Sequence, residues 1–183
     1  MGRFKIRRHE DRIEEKEDQL HDCVKDFLRR KFAGAEVGEE NPNSSYASLD
    51  VYLVGEDDRK IGAEVKPFFF MLGSEGEGAF GQALLRKRRR DVKKMYVAFP
   101  MSARQEDTQH LISPQAPQTI RETLRLLGEE ENFGSIKDLN MHIYNRVYSQ
   151  TGIGLLGIMG HVEGEIFRVD NVEELYPPLD DSM

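Results

Sequence analysis

The sequence lacks several features that would direct it to a particular class of protein. It has no tryptophan and one cysteine, Cys23, which excludes an internal disulfide and any metal site built from several cysteines. No apolar run approaches the roughly 20 residues that a membrane-spanning helix needs. The first residues also lack the apolar core of a signal peptide. We therefore expect a cytoplasmic protein with no membrane partner.

Positively charged residues are also fewer than negatively charged ones over the chain as a whole. The 183 residues include 26 lysines and arginines against 33 aspartates and glutamates, so the formal net charge is −7. Nucleic-acid binding would therefore need a local basic patch. The segment 86–94 is such a patch, and we expect it to contact phosphates. Its seven basic residues are Arg86, Lys87, Arg88, Arg89, Arg90, Lys93 and Lys94.

The pattern of apolar residues predicts a single domain with alternating helices and strands. We assign residues 1–10 to a mobile basic arm, 11–170 to the domain and 171–183 to a loosely packed acidic tail. Helices are predicted over residues 11–32, 74–92, 117–127 and 135–148. Strands are predicted over residues 49–54, 61–66, 95–99, 153–159 and 165–169.

The most informative stretch is Leu49–Lys66, which has the pattern of two strands joined by a polar turn. Glu64 and Lys66 lie two residues apart in the second strand, so their side chains leave the same face roughly 7 Å apart. If the strands pair, Asp50 lies beside them. Carboxylate oxygens suit Mg²⁺, and a neighbouring lysine can stabilise developing negative charge. The same pattern also fits an ordinary hairpin with a solvated polar face.

Two of the predicted helices carry further polar residues of interest. Glu17 lies three residues before Leu20, so it projects from the apolar stripe of the first helix. Gln82 lies on the second helix, four residues before Arg86 and therefore in line with it. A glutamate at the edge of a buried face is unusual, although Glu17 also fits a surface charge at the start of a helix.

This order of residues and elements resembles the PD-(D/E)XK nuclease superfamily. The resemblance implies an α/β protein with the restriction-endonuclease-like fold, a central mixed β-sheet flanked by α-helices. It implies hydrolysis of DNA phosphodiester bonds, in restriction or in repair and recombination, with Mg²⁺ or Mn²⁺ as cofactor. It also implies a role for each candidate residue: Asp50, Glu64, the backbone carbonyl of Val65 and Glu17 as metal ligands, Lys66 as the catalytic lysine, and Gln82 as the polar residue of the helix. Ser48 and Leu49 replace the proline that often precedes the family's aspartate.

Other interpretations remain open at the level of sequence. An inactive module with the nuclease fold could bind nucleic acid or a protein partner, with its acids as relics. A structural or regulatory protein could use the basic helix to bind an acidic partner. RNA is not excluded as a substrate, and the sequence leaves open whether two chains pair as a homodimer.

Overall fold

One mixed β-sheet flanked by helices organises the computed structural model, which describes residues 2–7, 12–14, 17–38, 49–69, 71, 74–107 and 134–179. The elements of these segments are β1 (Arg3–Arg7), β2 (Arg12–Glu14), α1 (Glu17–Lys31), β3 (Glu36–Val37), β4 (Val51–Val54), β5 (Lys60–Val65), α2 (Ser74–Arg90), β6 (Lys94–Met101), α3 (Ile136–Thr151), β7 (Gly154–Glu163) and β8 (Ile166–Tyr176). The eight strands lie in the order β2-β1-β8-β7-β6-β5-β4-β3. The predicted α/β class with a central mixed sheet is therefore confirmed.

The centre of the sheet is parallel and its flanks are antiparallel. Strand β6 runs parallel to both β5 and β7. Strands β4 and β5 form the predicted hairpin, with Val51 opposite Ala63 and Leu53 opposite Ile61. The turn between them closes through a hydrogen bond from the Gly55 N–H to the Arg59 carbonyl at 2.9 Å. The side chains of β5 therefore alternate between the two faces of the sheet, as the sequence predicts.

Each face of the sheet buries its own apolar cluster. Helix α1 covers one face with Leu20, Val24 and Leu28, which pack in the cluster that includes Ile61 and Val65 of β5. Helix α2 and the C-terminal half of α3 cover the other face, and their buried residues include Ala79, Ala83 and Tyr144. Glu64 of β5 points toward this second face, between apolar neighbours on β6 and α2.

The ends of the chain are more ordered than the sequence predicts. Residues Arg3–Arg7 form β1, which pairs with β8, and not a mobile arm. Phe4 and Ile6 are buried in the core, and this short alternation outweighs the basic residues Arg3, Lys5 and Arg7 around them. Strand β8 continues to Tyr176, so residues 171–176 belong to the sheet.

The first predicted helix also differs from expectation. Helix α1 begins at Glu17, because residues 12–14 pair with β1 as a strand. The helix predicted over residues 117–127 lies outside the described residues. Among the helices that the structure describes, none is long and apolar enough to cross a membrane.

Candidate functional site

Asp50 and Glu64 lie on the same face of the hairpin. Asp50 directly precedes β4, and the pairing of Val51 with Ala63 places it opposite Glu64. Residues directly opposite each other in an antiparallel pair share a face of the sheet. Asp50 is held there because its Oδ2 accepts a hydrogen bond of 2.7 Å from the Val65 N–H. The two predicted carboxylates therefore meet where β4 begins and β5 ends.

Glu64 is fully buried, at 0% exposure, although it is charged in its usual state. Its Oε1 accepts a hydrogen bond from Arg86 Nη1 of α2. Its Oε2 lies 3.6 Å from Lys66 Nζ and has no hydrogen-bond partner. Burial and the negative charge of Asp50 raise the pKa of Glu64, while the hydrogen bond and charge of Arg86 oppose that rise. The site thus contains one buried carboxylate oxygen that lacks a hydrogen-bond partner.

Lys66 lies just beyond the end of β5, at the rim of the same site. Its Nζ donates a hydrogen bond of 3.0 Å to Gln82 Oε1 on α2. The lysine side chain keeps 19% of its surface exposed, so its ammonium group can be reached from solvent. Gln82 is itself exposed and fixes the direction in which the lysine points. These contacts bring Lys66 and Gln82 together at the rim of the site.

The spacing of residues along helix α2 matches the spacing of residues along strand β5. Residues four apart on a helix are separated by about 6.0 Å along its axis. Residues two apart on a strand are separated by about 6.6 Å. Gln82 can therefore contact Lys66 while Arg86, one turn later, contacts Glu64. One helix turn is thus matched to the Glu64–Lys66 segment of β5.

Backbone groups add to the oxygen atoms at this edge of the sheet. The Lys66 N–H donates to the Ala98 carbonyl of β6 at 2.9 Å, whereas the Val65 N–H points the other way, to Asp50. The N–H and C=O groups of one strand residue point to the same side. The Val65 carbonyl therefore faces the side of the strand on which Asp50 lies.

The predicted ligand Glu17 is placed only through its backbone. It is the first residue of α1, and its side chain lies outside the described residues. Four residues earlier, the Ile13 N–H donates to the Pro67 carbonyl at 2.7 Å. The chain that leads into α1 therefore passes the residue that follows Lys66.

The basic segment lies largely at the other end of β5. The Lys93 N–H donates to the Lys60 carbonyl at 2.9 Å, and Lys94 is paired with Ile61. Lys60 and Lys66 are six residues apart, a strand length of about 20 Å. Of the seven basic residues, Arg88, Arg89 and Lys93 are exposed, Lys87 and Lys94 are half-buried, Arg86 points to Glu64, and the side chain of Arg90 lies outside the described residues.

The ligand atoms that the described residues offer a metal ion at this site are all oxygens, which suit a hard cation. Within the described segments, no group of three or more His, Cys, Asp or Glu side chains is arranged to hold a metal ion. The available oxygens are those of Asp50, the unpartnered Oε2 of Glu64 and the Val65 carbonyl. Mg²⁺ accepts such a set because it binds one or two carboxylates and keeps several waters.

Sequence reasoning missed Asn140, which supports the chain just after the site. This fully buried side chain on α3 donates from Nδ2 to the Phe69 carbonyl at 2.8 Å and accepts from the Met71 N–H at 3.2 Å. It thereby anchors the apolar segment that follows Lys66. The available signal was a polar residue four positions after Ile136, inside the apolar stripe of the predicted helix.

Replacing Asn140 with alanine should destabilise the protein because two buried backbone groups would lose their partners. Each unsatisfied group costs about 1–3 kcal/mol of unfolding free energy. Denaturant unfolding of Asn140→Ala checks this, and Asn145→Ala on the exposed side of α3 is the matched control. Equal stability of the two variants would show that the Asn140 contacts contribute nothing.

Comparison with known proteins identifies no relative: no family model, no curated protein and no solved structure matches this chain. The nuclease resemblance therefore depends on the residues named above and on their arrangement.

Proposed function

We propose that this protein is a cation-dependent endonuclease that hydrolyses phosphodiester bonds of DNA. The observation that carries this proposal is the convergence of Asp50, Glu64 and Lys66 at the adjoining ends of β4 and β5. Two neighbouring carboxylates, one of them buried, and an ammonium group at their rim form a site that could bind a cation and a phosphate together. A DNA partner, a cytoplasmic location and pairing as a homodimer belong to the same proposal.

The order of the elements supports the restriction-endonuclease-like fold and membership of the PD-(D/E)XK superfamily. Helix α1 is followed by the β4–β5 hairpin, by α2 and then by the buried strand β6, parallel to β5. The positions of Asp50 just before β4, Glu64 in β5, Lys66 just after β5 and Gln82 in α2 support the resemblance. Fold alone does not decide function, so the proposal depends on the site.

Asp50, Glu64 and the Val65 carbonyl are the groups that would hold Mg²⁺ or Mn²⁺. The fit is supported by Glu64 Oε2, a buried oxygen without a hydrogen-bond partner. When bound, such a cation lowers the pKa of a coordinated water and neutralises charge on a phosphate oxygen. Lys66, aimed by Gln82, would donate a hydrogen bond to a phosphate oxygen as negative charge develops on it.

A cleavage panel tests the proposal directly. Single-stranded, duplex, flapped and four-way-junction DNA, together with RNA, would be incubated with Mg²⁺, with Mn²⁺ or with EDTA. We expect at least one DNA substrate to be cut with either cation and none to be cut in EDTA. Cleavage that persists in EDTA, or the absence of cleavage on every substrate, would contradict the proposal.

A second candidate is an inactive module that keeps the nuclease fold and binds nucleic acid or a protein partner. The observation that favours it is the pairing of Glu64 with Arg86, which neutralises a fully buried carboxylate without any metal ion. Such a module would bind DNA equally well with or without divalent cations and would cut none of the substrates. Calorimetry with Mn²⁺ separates the two candidates, because a relic site would show no binding dependent on Asp50 and Glu64.

Reversing the charges of Arg88 and Arg89 should weaken DNA binding regardless of sequence. Both side chains are exposed on the last turns of α2, so their loss would remove phosphate contacts without disturbing the core. The slope of log affinity against log salt should fall by about 0.9 for each lost contact. The same reversal at the exposed Arg29 and Arg30, on the opposite face of the sheet, is the control. If the affinity and the slope both stay unchanged, this helix is not the phosphate surface.

A further inference from the structure

Arg86 differs from Arg88 and Arg89 of the same helix in what it contacts. Its side chain is only 19% exposed, and its Nη1 bonds to a carboxylate that is itself fully buried. Arg88 and Arg89 are exposed. The helix therefore turns one arginine into the site and leaves the next ones at the surface.

We propose that Arg86 is a positioning residue for the Glu64 carboxylate and not a phosphate-binding residue. This inference rests on the proposed function, because it assigns Arg86 to the same site. By holding Oε1, Arg86 stops the carboxylate from rotating and leaves the buried Oε2 without a hydrogen-bond partner. The guanidinium bonds to Oε1, and Oε2 has no hydrogen-bond partner, so that oxygen is left for a metal ion.

A phosphate contact through Nη1 would require Arg86 to leave Glu64. That movement would strand a buried carboxylate, which is far more costly than the gain from one solvent-exposed phosphate contact. Gln82 holds Lys66 from the preceding helix turn, so the two α2 residues act on the two functional residues of β5. Removing a residue that orients a metal ligand through a hydrogen bond changes the metal affinity of the site.

The test is cation affinity measured without DNA. Calorimetry with Mn²⁺ on Arg86→Met should show affinity reduced about 10- to 100-fold. Arg86→Lys, which keeps the charge but loses the forked donors, should recover part of the loss. Arg89→Met, at an exposed position three residues later on the same helix, should bind Mn²⁺ like the unaltered chain. DNA binding by Arg86→Met in EDTA should keep the salt slope of the unaltered chain.

An unchanged Mn²⁺ affinity in Arg86→Met together with a reduced salt slope would overturn the inference and make Arg86 a phosphate ligand. If Arg86→Met does not fold, the comparison of Arg86→Lys with Arg89→Lys decides between the same two outcomes. A partial loss of Mn²⁺ affinity confined to Arg86→Lys supports positioning, and equal affinities overturn it.

A double-mutant cycle, measured by thermal unfolding, separates this inference from the proposed function. If the unaltered chain binds no Mn²⁺, the proposed function fails, but the Arg86–Glu64 pair can still be measured. Arg86→Met should lower Tm by roughly 10 °C, because one buried charge loses its partner. Adding Glu64→Gln should restore most of that loss. If the two substitutions are instead additive, Arg86 does not position Glu64.

Discussion

Replacing Lys66 with alanine should abolish cleavage while leaving the fold and most of the DNA binding intact. Among the described residues, Lys66 Nζ is the ammonium group beside Asp50 and Glu64. It lies 3.6 Å from Glu64 Oε2 and donates a hydrogen bond to Gln82 Oε1. Removing one donor that stabilises developing negative charge typically lowers kcat by about 10²–10³-fold. Single-turnover cleavage in Mg²⁺, measured beside a binding isotherm in EDTA, separates the loss of chemistry from the loss of binding.

Lys60→Ala is the matched control for this experiment. Lys60 is the first residue of the same strand, at the end away from the carboxylates, and its carbonyl accepts from Lys93. We expect its cleavage rate to stay within a few-fold of the unaltered chain. Unchanged cleavage in Lys66→Ala would remove the catalytic role of this lysine.

Replacing Asp50 with asparagine should remove cation binding with little change in the fold. Asparagine keeps a side-chain oxygen that can accept the Val65 N–H, whereas the negative charge is lost. The charge of Asp50 also raises the pKa of Glu64, so any loss of affinity cannot come from a harder ionisation of that neighbour. Because Mg²⁺ is bound through very few carboxylates, losing one should lower affinity by at least about 100-fold.

Calorimetry with Mn²⁺ checks this expectation, and Asp57→Asn in the β4–β5 turn is the control. Asp57 is exposed and pairs with Arg59 of the same turn. Its substitution should not change cation affinity. Equal loss in both variants would indicate a general effect of net charge and not a site at Asp50.

The hairpin was predictable from the sequence because local rules agree with one another there. Strict alternation in β4 and β5 sets the buried face, and the polar turn between them sets the register. Once the register is known, Asp50 must lie opposite Glu64, and Lys66 must leave the same face. The convergence of these three residues therefore needed no long-range information.

The role of Arg86 was not predictable in the same way. In the sequence it stands at the start of a block of like charges, which predicts a solvated or phosphate-binding surface. Only the packing of α2 across β5 decides which member of that block faces Glu64. Strand β1 was missed for a related reason, since its pairing partner β8 lies at the other end of the chain.

The location of a bound cation tests the central claim most directly. Sub-stoichiometric Mn²⁺, which broadens the NMR signals of nearby nuclei, should first remove the backbone amide signals of Val51, Val65 and Lys66. Asp50→Asn should prevent that loss at the same Mn²⁺ concentration. Broadening that instead begins at the acidic β7–β8 hairpin around Glu163 and Asp170, and is untouched by Asp50→Asn, would contradict a cation site between β4 and β5.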